Sequence, residues 1–337
     1  MKTLVTGATG FVGRHLVEAL RNRDHSVRIL IRNPQKAGDF SAEVETVTGD
    51  ICDRAALEKA VDGRDVLYHC AAATAEATRE EIHRVNLEGL RTLLEVVGAS
   101  PGKRLVLMSG LNVLGTRNFH EGAEDLPCRK ANEPHGDAKI DGERLALEYH
   151  RDHDVDLTIL RPGLIYGVGD RHLLKLARAI RRGKFVFIGS RHNVVPLVEV
   201  SDMVQALMLA GETPRAAGRI YHITDGRPTT IGELVDCIAD MLEVRRPKTV
   251  LPYFLPSLVC RLFELLRKKG PINRTALRFL GTSRYASIQR AREELGYAPR
   301  VEFHEGLEHI RPWLVQESNR NTHADQSDAR PVASAGH

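Results

Sequence analysis

The feature that most constrains the fold is a glycine-rich turn near the N-terminus, placed between an apolar pair and an apolar-periodic segment. Leu4 and Val5 precede the turn, and Leu16, Val17 and Leu20 follow it at helical spacing. A strand, a tight turn and a helix in this order bind phosphate, because free N–H groups and the positive end of the helix dipole meet at the turn. We predict that this turn binds the pyrophosphate of a dinucleotide through Gly7, Thr9, Gly10, Phe11, Val12 and Gly13.

Each glycine of the turn has its own expected role. Gly7 lets the chain reverse tightly, since it has no Cβ. Gly10 lets the backbone approach the pyrophosphate, and Gly13 lets the helix lie close on the strand. The alternative is a structural turn without a ligand, but the strand before it and the helix after it favour the dinucleotide.

Strands and helices alternate over the first half of the chain. The apolar patterns predict strands at 25–31, 44–47, 65–70, 105–108 and 157–160, and helices at 54–61, 78–97 and 134–149. This alternation predicts an α/β fold, namely a Rossmann-type doubly wound parallel sheet with a smaller C-terminal substrate-binding domain. Ligands bind at the carboxyl ends of such strands.

The domain boundaries follow from the change in regularity. We expect residues 1–168 to form the NAD(P)-binding domain. Residues 169–315 then form mainly the substrate domain, with some segments returning to the Rossmann core. The polar, aperiodic residues 316–337 are expected to be a disordered tail.

Composition excludes several classes of function. The 337 residues carry a formal net charge of +4 with scattered basic residues, which does not indicate a nucleic-acid partner. The five cysteines are far apart and show no metal spacing, so we expect reduced thiols, no metal and a cytoplasmic location. We also expect no signal peptide, because Met1, Lys2 and Thr3 lead directly into the first strand.

The residues after the second, third and fourth strands indicate how a dinucleotide would lie. Arg32 stands where NAD-binding folds have an acidic residue, and a guanidinium matches a 2′-phosphate, so NADP(H) is favoured over NAD(H). Asp50, beside Ile51, either accepts from the adenine amino group or caps the helix at 54–61. The small residues Ala71 and Ala72 leave room for a flat cofactor.

These motifs together resemble the extended short-chain dehydrogenase/reductase family, which includes nucleotide-sugar epimerases and dehydratases, 3β-hydroxysteroid dehydrogenases and dihydroflavonol reductases. The resemblance runs from about Lys2 to Trp313. Besides the glycine turn, the matching pieces are Gly49-Asp50-Ile51, His69-Cys70-Ala71-Ala72, Asn86-Leu87-Glu88-Gly89, Leu160-Arg161-Pro162, Tyr166-Gly167 and Val200-Ser201-Asp202. It implies an NAD(P)-dependent oxidoreductase or epimerase acting on a secondary alcohol or carbonyl of a sugar nucleotide or sterol-like substrate, with Pro162 and Ile165 also at the cofactor.

The family's catalytic set is a serine or threonine, a tyrosine and, four residues after the tyrosine, a lysine. Lys139 matches the lysine, and the tyrosine position is His135. The serine position is Gly110, with Ser109 one residue before it. The resemblance therefore implies a site built from Lys139, His135 and Ser109, a set that differs from the usual one.

Two functions remain open from the sequence. His135 can replace the tyrosine as acid and base, because imidazole titrates near neutral pH and lies on the same helix face as Lys139. In that case Ser109 turns inward, or a backbone N–H near Gly110 holds the substrate oxygen. Alternatively the protein is an NADP(H)-binding sensor without redox activity. A further possibility is that Tyr166 or His192 supplies the proton.

The most apolar helical pattern begins at Phe254 and ends at Leu266, directly before three basic residues. It predicts a helix that either packs on the second domain or contacts a lipid surface or lipid-like substrate. The resemblance adds a possible homodimer.

Overall fold

A parallel sheet at the centre of the molecule positions everything that follows. The structure is a computed structural model that describes residues 1–320 apart from 75, 116, 266–276 and 278. The strands of the described chain are β1 (Lys2–Thr6), β2 (Ser26–Ile31), β3 (Glu45–Thr48), β4 (Val66–His69), β5 (Arg104–Met108), β6 (Phe119–Gly122), β7 (Asp156–Pro162), β8 (Leu164–Tyr166), β9 (Phe187–Ile188), β10 (Leu197–Glu199), β11 (Arg219–Ile223), β12 (Val250–Leu251) and β13 (Arg284–Ala286).

Seven of these strands pair in the order β11-β7-β5-β4-β1-β2-β3, and every pairing is parallel. The order reverses direction at β1, so the carboxyl ends of β1 and β4 form the crevice where such sheets bind ligands. The predicted doubly wound sheet is confirmed.

Helices cover both faces of the sheet and build the second lobe. They are α1 (Phe11–Arg21), α2 (Arg54–Val61), α3 (Arg79–His83), α4 (Gly89–Gly98), α5 (Pro134–His153), α6 (Arg171–Arg181), α7 (Val200–Glu212), α8 (Ile231–Met241), α9 (Phe254–Leu265) and α10 (Phe303–Asn319). The helix predicted at 78–97 is divided, because a π-helical segment (Arg84–Glu88) separates α3 from α4.

Two apolar cores lie on opposite faces of the sheet. On one face, Leu16 and Leu20 of α1 pack with Met203 and Leu207 of α7. The other face is covered by α2, α4 and α5, whose buried residues include Leu57, Leu93, Leu94 and Leu145. Helix α7 and strand β11 therefore belong to the sheet layer although they follow residue 169 in the chain.

A third core holds together the second lobe, which comprises α6, α8, α10 and the segments around Phe187 and Val195. Leu173 of α6, Leu234 and Ile238 of α8, and Leu307 and Leu314 of α10 are all buried within it. Helix α10 extends to Asn319, so residues 316–319, which were expected to begin a disordered tail, are helical. Helical packing reaches as far as Ser318, whose side chain is largely buried. Residues 321–337 lie outside the described residues.

A buried ion pair fastens α5 to the sheet. Arg161 of β7 donates to Glu143 of α5 through Nε (3.0 Å to Oε1) and Nη2 (2.7 Å to Oε2), and its Nη1 donates to the carbonyl of Glu124. Both side chains are almost completely buried. Because α5 carries His135 and Lys139, this pair fixes the position of these two residues against the strand ends.

Arg161→Met is expected to lower the free energy of unfolding by about 3 kcal/mol, since it leaves the Glu143 carboxylate buried without a counter-charge. The double variant Arg161→Met/Glu143→Leu should recover most of that loss. Urea denaturation of the three proteins measures both values. A single variant within about 1 kcal/mol of the wild type would contradict this account of the pair.

Candidate functional site

The glycine turn has the shape that a pyrophosphate requires. Gly7 has φ +72°, and a Cβ there would lie 2.5 Å from the backbone nitrogen of Ala71. A Cβ on Gly13 would lie 2.2 Å from the carbonyl oxygen of Gly7. Gly10 is the N-cap of α1 and has no side chain that could accept from the first N–H groups of the helix. The residues present therefore fit a dinucleotide held by main-chain amides.

The other turn residues differ in what they can offer a ligand. Gly10 is exposed and Thr9 and Phe11 are half-buried at this rim. The side chain of Val12 is buried in the core under α1, so only its backbone N–H can face a phosphate.

Arginines mark the end of β2, where the adenosine ribose of a dinucleotide would lie. Ile31 is buried, and the next residue, Arg32, is exposed and forms no hydrogen bond or ion pair with the described residues. Arg14 of α1 donates to the carbonyl of Thr9 (3.3 Å) and pairs with Asp39 (2.5 Å). Sequence reasoning missed Arg14, whose place at this rim depends on the packing of α1.

Asp50 does not cap a helix, which corrects one of its two predicted roles. Its carboxylate accepts from the N–H of Cys52 (2.9 Å) and from Nη1 of Arg84 (3.0 Å). Partial burial would raise the pKa of Asp50, but these two donors outweigh it and lower the pKa. The cap of α2 is Asp53, which accepts from Ala56. Ile51 is buried, so its side chain packs inward.

An asparagine in the π-helical segment fixes the chain where it leaves β4. Asn86 accepts from the N–H of Ala73 (2.7 Å) and donates to its carbonyl (3.0 Å). The preceding residues Ala71 and Ala72 are half-buried beside the glycine turn. Isolated π turns are frequent at functional sites, and this one places Asn86 between the cofactor crevice and α5.

His135 is bound to the same carbonyl, and this contact determines its tautomer. Its Nδ1 lies 2.9 Å from the oxygen of Ala73, which can only accept, so Nδ1 carries the proton. Nε2 is then the free basic nitrogen of the neutral ring. The contact of Nδ1 with Nδ2 of Asn86 at 3.4 Å joins two donors and is not a hydrogen bond.

Burial and charge keep this histidine neutral. Burial is the larger cause that lowers the pKa of His135, and the nearby charge of Lys139 lowers it further. Lys139 donates from Nζ to the carbonyl of Met108 (2.7 Å), and burial lowers its pKa to about 8. The four-residue spacing on α5 thus brings the two predicted groups together at the end of β5.

Ser109 lies on the inner side of this site. It is buried, its Oγ has no partner in the described chain, and it lines a small internal cavity together with His69, Asn86 and Lys139. His135 does not line that cavity. The structure therefore brings Ser109 and Lys139 to the same cavity.

Asn112 occupies the space that the family's serine would need. A Cβ built on Gly110 would lie 2.7 Å from Oδ1 of Asn112, and a Cβ on Gly136 would lie 3.4 Å from its Nδ2. The carboxamide is therefore placed between the serine position and the residue beside His135. The signal in the sequence was weak, namely an amide two residues after Gly110 in the same loop.

The remaining predicted residues divide between the strand ends and the second lobe. Pro162 ends β7, and Ile165 of β8 packs against the core under α1. Tyr166 is buried with its hydroxyl close to Gly306, and burial strongly raises its pKa, so it is a poor proton donor or acceptor. His192 is exposed in a turn of the second lobe. The described residues contain no group of three or more metal-ligating side chains.

Comparison with known proteins places this site in a family. A family model described as the NAD dependent epimerase/dehydratase family matches residues 3–224. The 2-alkyl-3-oxoalkanoate reductase of Stenotrophomonas maltophilia (strain K279a) is 30% identical, over 92% of this chain and 98% of the relative. The 3beta-hydroxysteroid-dehydrogenase/decarboxylase isoform 2 of Arabidopsis thaliana is also 30% identical. That alignment covers 90% of this chain and 60% of the relative.

Solved structures agree with these relatives. MoeE5 in complex with UDP-glucose and NAD superposes with a TM-score of 0.75 at 25% identity, over 94% of this chain and 99% of that structure. The chain belongs to the NAD dependent epimerase/dehydratase family, within the extended short-chain dehydrogenases/reductases, as its motifs predicted. The description of that family is of NAD dependent epimerases and dehydratases, and the two relatives are named as a reductase and a dehydrogenase/decarboxylase.

Gly13→Ala is expected to weaken NADH binding and to destabilise the fold by roughly 1–3 kcal/mol, because the new Cβ would force α1 away from the turn. Gly38→Ala is the matched control, since a Cβ there meets nothing within 4 Å. Calorimetric titration and thermal unfolding measure the two effects. Unchanged NADH binding by Gly13→Ala would show that the turn does not hold the pyrophosphate.

Proposed function

We propose that this protein transfers hydride between a nicotinamide coenzyme and a secondary alcohol or carbonyl of a small molecule, with His135 as the proton-transfer group in the usual tyrosine position. The observation that carries the proposal is the hydrogen bond from Nδ1 of His135 to the carbonyl of Ala73. His135 lies one helical turn before Lys139 on α5. It leaves Nε2 as a base with a fixed ring orientation.

The bound coenzyme would supply or accept the hydride, and the main-chain amides of the glycine turn would hold its pyrophosphate. Nε2 of His135 would take the proton of the substrate hydroxyl as the alcohol is oxidised. Lys139 would hold the ribose of the coenzyme, and its charge keeps the imidazole unprotonated and ready to act as a base.

Asn112 would take over the task of the missing serine hydroxyl. Its Nδ2 is a donor, so it can hydrogen-bond the substrate oxygen while negative charge develops there. The position of the carboxamide against Gly110 supports this role. Ser109 would act only indirectly, through Lys139.

The neutral imidazole favours one direction at pH 7. Oxidation needs an unprotonated Nε2, which burial supplies. Reduction needs the imidazolium, so it should be faster at lower pH. Suitable test substrates follow from the relatives: a 3β-hydroxysterol, a 2-alkyl-3-oxoalkanoate and UDP-glucose.

A sensor that binds NADP(H) without redox chemistry is the second candidate. Glycine at the serine position and histidine at the tyrosine position favour it. It predicts coenzyme binding without turnover of any of the three substrates.

The rate of alcohol oxidation should have a bell-shaped pH dependence. Activity should be lost as pH falls through the pKa of His135, which burial lowers from its ordinary value, because protonated Nε2 cannot accept a proton. It should also decline above about pH 8, where Lys139 loses its charge. His135→Ala should lower kcat at least about 100-fold while NADPH affinity changes only a few-fold.

Steady-state kinetics and fluorescence titration with NADPH separate these two effects. His192→Ala is the matched control, since that histidine is exposed in the second lobe. Normal turnover by His135→Ala would reject the histidine mechanism even if the protein is an enzyme.

We further propose that the coenzyme is NADP(H), because Arg32 is exposed without a partner at the end of β2. Arg32→Ala should weaken NADPH binding about 10- to 100-fold and NADH binding far less. Arg91→Ala on the exposed face of α4 is the control. Equal losses for both coenzymes would remove the argument for the 2′-phosphate.

The predicted lipid contact, homodimer and cytoplasmic location are proposals. Phe254, Leu255 and Leu258 of α9 are exposed, which supports contact with a lipid surface or lipid-like molecule. No described helix is long and apolar enough to cross a membrane. Residue 266, the predicted end of the apolar stretch, lies outside the described residues. A homodimer and a cytoplasmic location are proposals on the same footing.

A further inference from the structure

Arg284 of β13 is a buried cation that has no counter-ion among the described residues. Four arginines of the described chain are largely buried, and three of them have oxygen partners. Arg28 contacts three carbonyls and Glu45. Arg64 contacts Ser26 and Glu45, and Arg161 pairs with Glu143. Arg284 is 8% exposed, its Nε is fully buried without an acceptor, and no carboxylate in the described part of the chain pairs with it.

The surroundings of Arg284 do not compensate its charge. The ring of Phe279 lies 5.4 Å from Cζ, which is a cation–π contact and weaker than an anion in the same place. Burial lowers the pKa of the guanidinium to about 10, and no neighbouring charge offsets that effect. A buried charge left in this state is costly, and an anion that paired with the guanidinium would reduce that cost.

Strand β13 lies against the proposed active site. It pairs with β6, and its residue Ala286 packs with Leu111 and Leu114 of the loop that carries Asn112. Ile140, which follows Lys139 on α5, packs in the same cluster. Arg284 is two residues from Ala286, roughly 7 Å along the strand, and the alternation of a strand places both side chains on the same face of β13.

A second buried donor without a partner lies on the neighbouring backbone. The N–H of Arg284 donates to the carbonyl of Val194 (2.9 Å), and the N–H of Val195 donates to the carbonyl of Thr229 (2.9 Å). Thr229 is fully buried, and its hydroxyl oxygen has no partner in the described chain. Arg284 and Thr229, each with a buried donor that has no partner in the described chain, therefore lie on either side of Val194 and Val195.

We propose that Arg284 binds an anionic oxygen group of the substrate, a carboxylate or a phosphate. The planar guanidinium donates two parallel N–H bonds to either group, which suits recognition of a fixed geometry. This inference deepens the proposed function and rests on it for the identity of the ligand as substrate. Within the substrate classes considered above, it selects those that carry an acid group.

Calorimetric titration of the full-length protein without coenzyme tests the site, with UDP as the phosphate probe and decanoate as the carboxylate probe. The wild type should bind at least one of them, and Arg284→Met should weaken that binding at least about tenfold. Arg292→Met, at an exposed position eight residues after Arg284, should bind the probe as the wild type does. Loss of UDP binding assigns a phosphate, and loss of decanoate binding assigns a carboxylate.

Thermal unfolding supplies a second readout with opposite signs. Arg284→Met should raise Tm in the absence of anions, because it removes an uncompensated charge, whereas Arg161→Met should lower Tm. Arg284→Lys replaces Arg284→Met in the titrations if the latter does not fold, and it should bind the probe more weakly than the wild type. Binding of neither probe, or equal binding by wild type and variant, would overturn the proposal.

The titrations do not depend on hydride transfer. Arg284-dependent binding together with normal turnover by His135→Ala would retain the anion site and reject the histidine mechanism. Loss of turnover in His135→Ala, together with probe binding that does not depend on Arg284, would retain the histidine mechanism and reject the anion site.

Discussion

The close approach of the Gly7 backbone to the chain leaving β4 is the constraint on which the rest of the structure depends. A Cβ at this position would lie 2.5 Å from the nitrogen of Ala71, and one on Gly13 would meet the carbonyl of Gly7 at 2.2 Å. Strand β1, helix α1 and the end of β4 can therefore meet only where side chains are absent. The same contact that packs the layers also exposes main-chain N–H groups at the crevice.

One carbonyl connects the crevice to His135. The oxygen of Ala73 accepts from both Asn86 and His135, so the chain after β4, the π-helical segment and α5 share one fixed point. The buried pair of Arg161 and Glu143 fastens α5 from its other side. A histidine held in this way has its ring orientation and its tautomer set before any ligand binds.

The site also shows how a changed catalytic set can remain consistent. A phenol needs a neighbouring positive charge to lose its proton near neutral pH, whereas an imidazole does not. Lys139 beside His135 lowers the pKa of the ring and so favours the basic form. With glycine at position 110, the carboxamide of Asn112 fills the space of a serine side chain. In the proposed mechanism, a base and a hydrogen-bond donor would thus both be retained in altered chemical form.

The sequence by itself determined what depends on local spacing. The glycine turn, the strand–helix alternation, the doubly wound sheet and the alignment of His135 with Lys139 on one helix face follow from periods of two to four residues. Only the tertiary structure decided what depends on residues distant in the chain: the hydrogen bond of Asp50 with Arg84, the place of Ser109 and Lys139 at one cavity, the position of Asn112, and the burial of Arg284 without a partner among the described residues. The physical reason is that burial and partner choice are set by the packing of separate elements against one another, which short-range patterns do not encode.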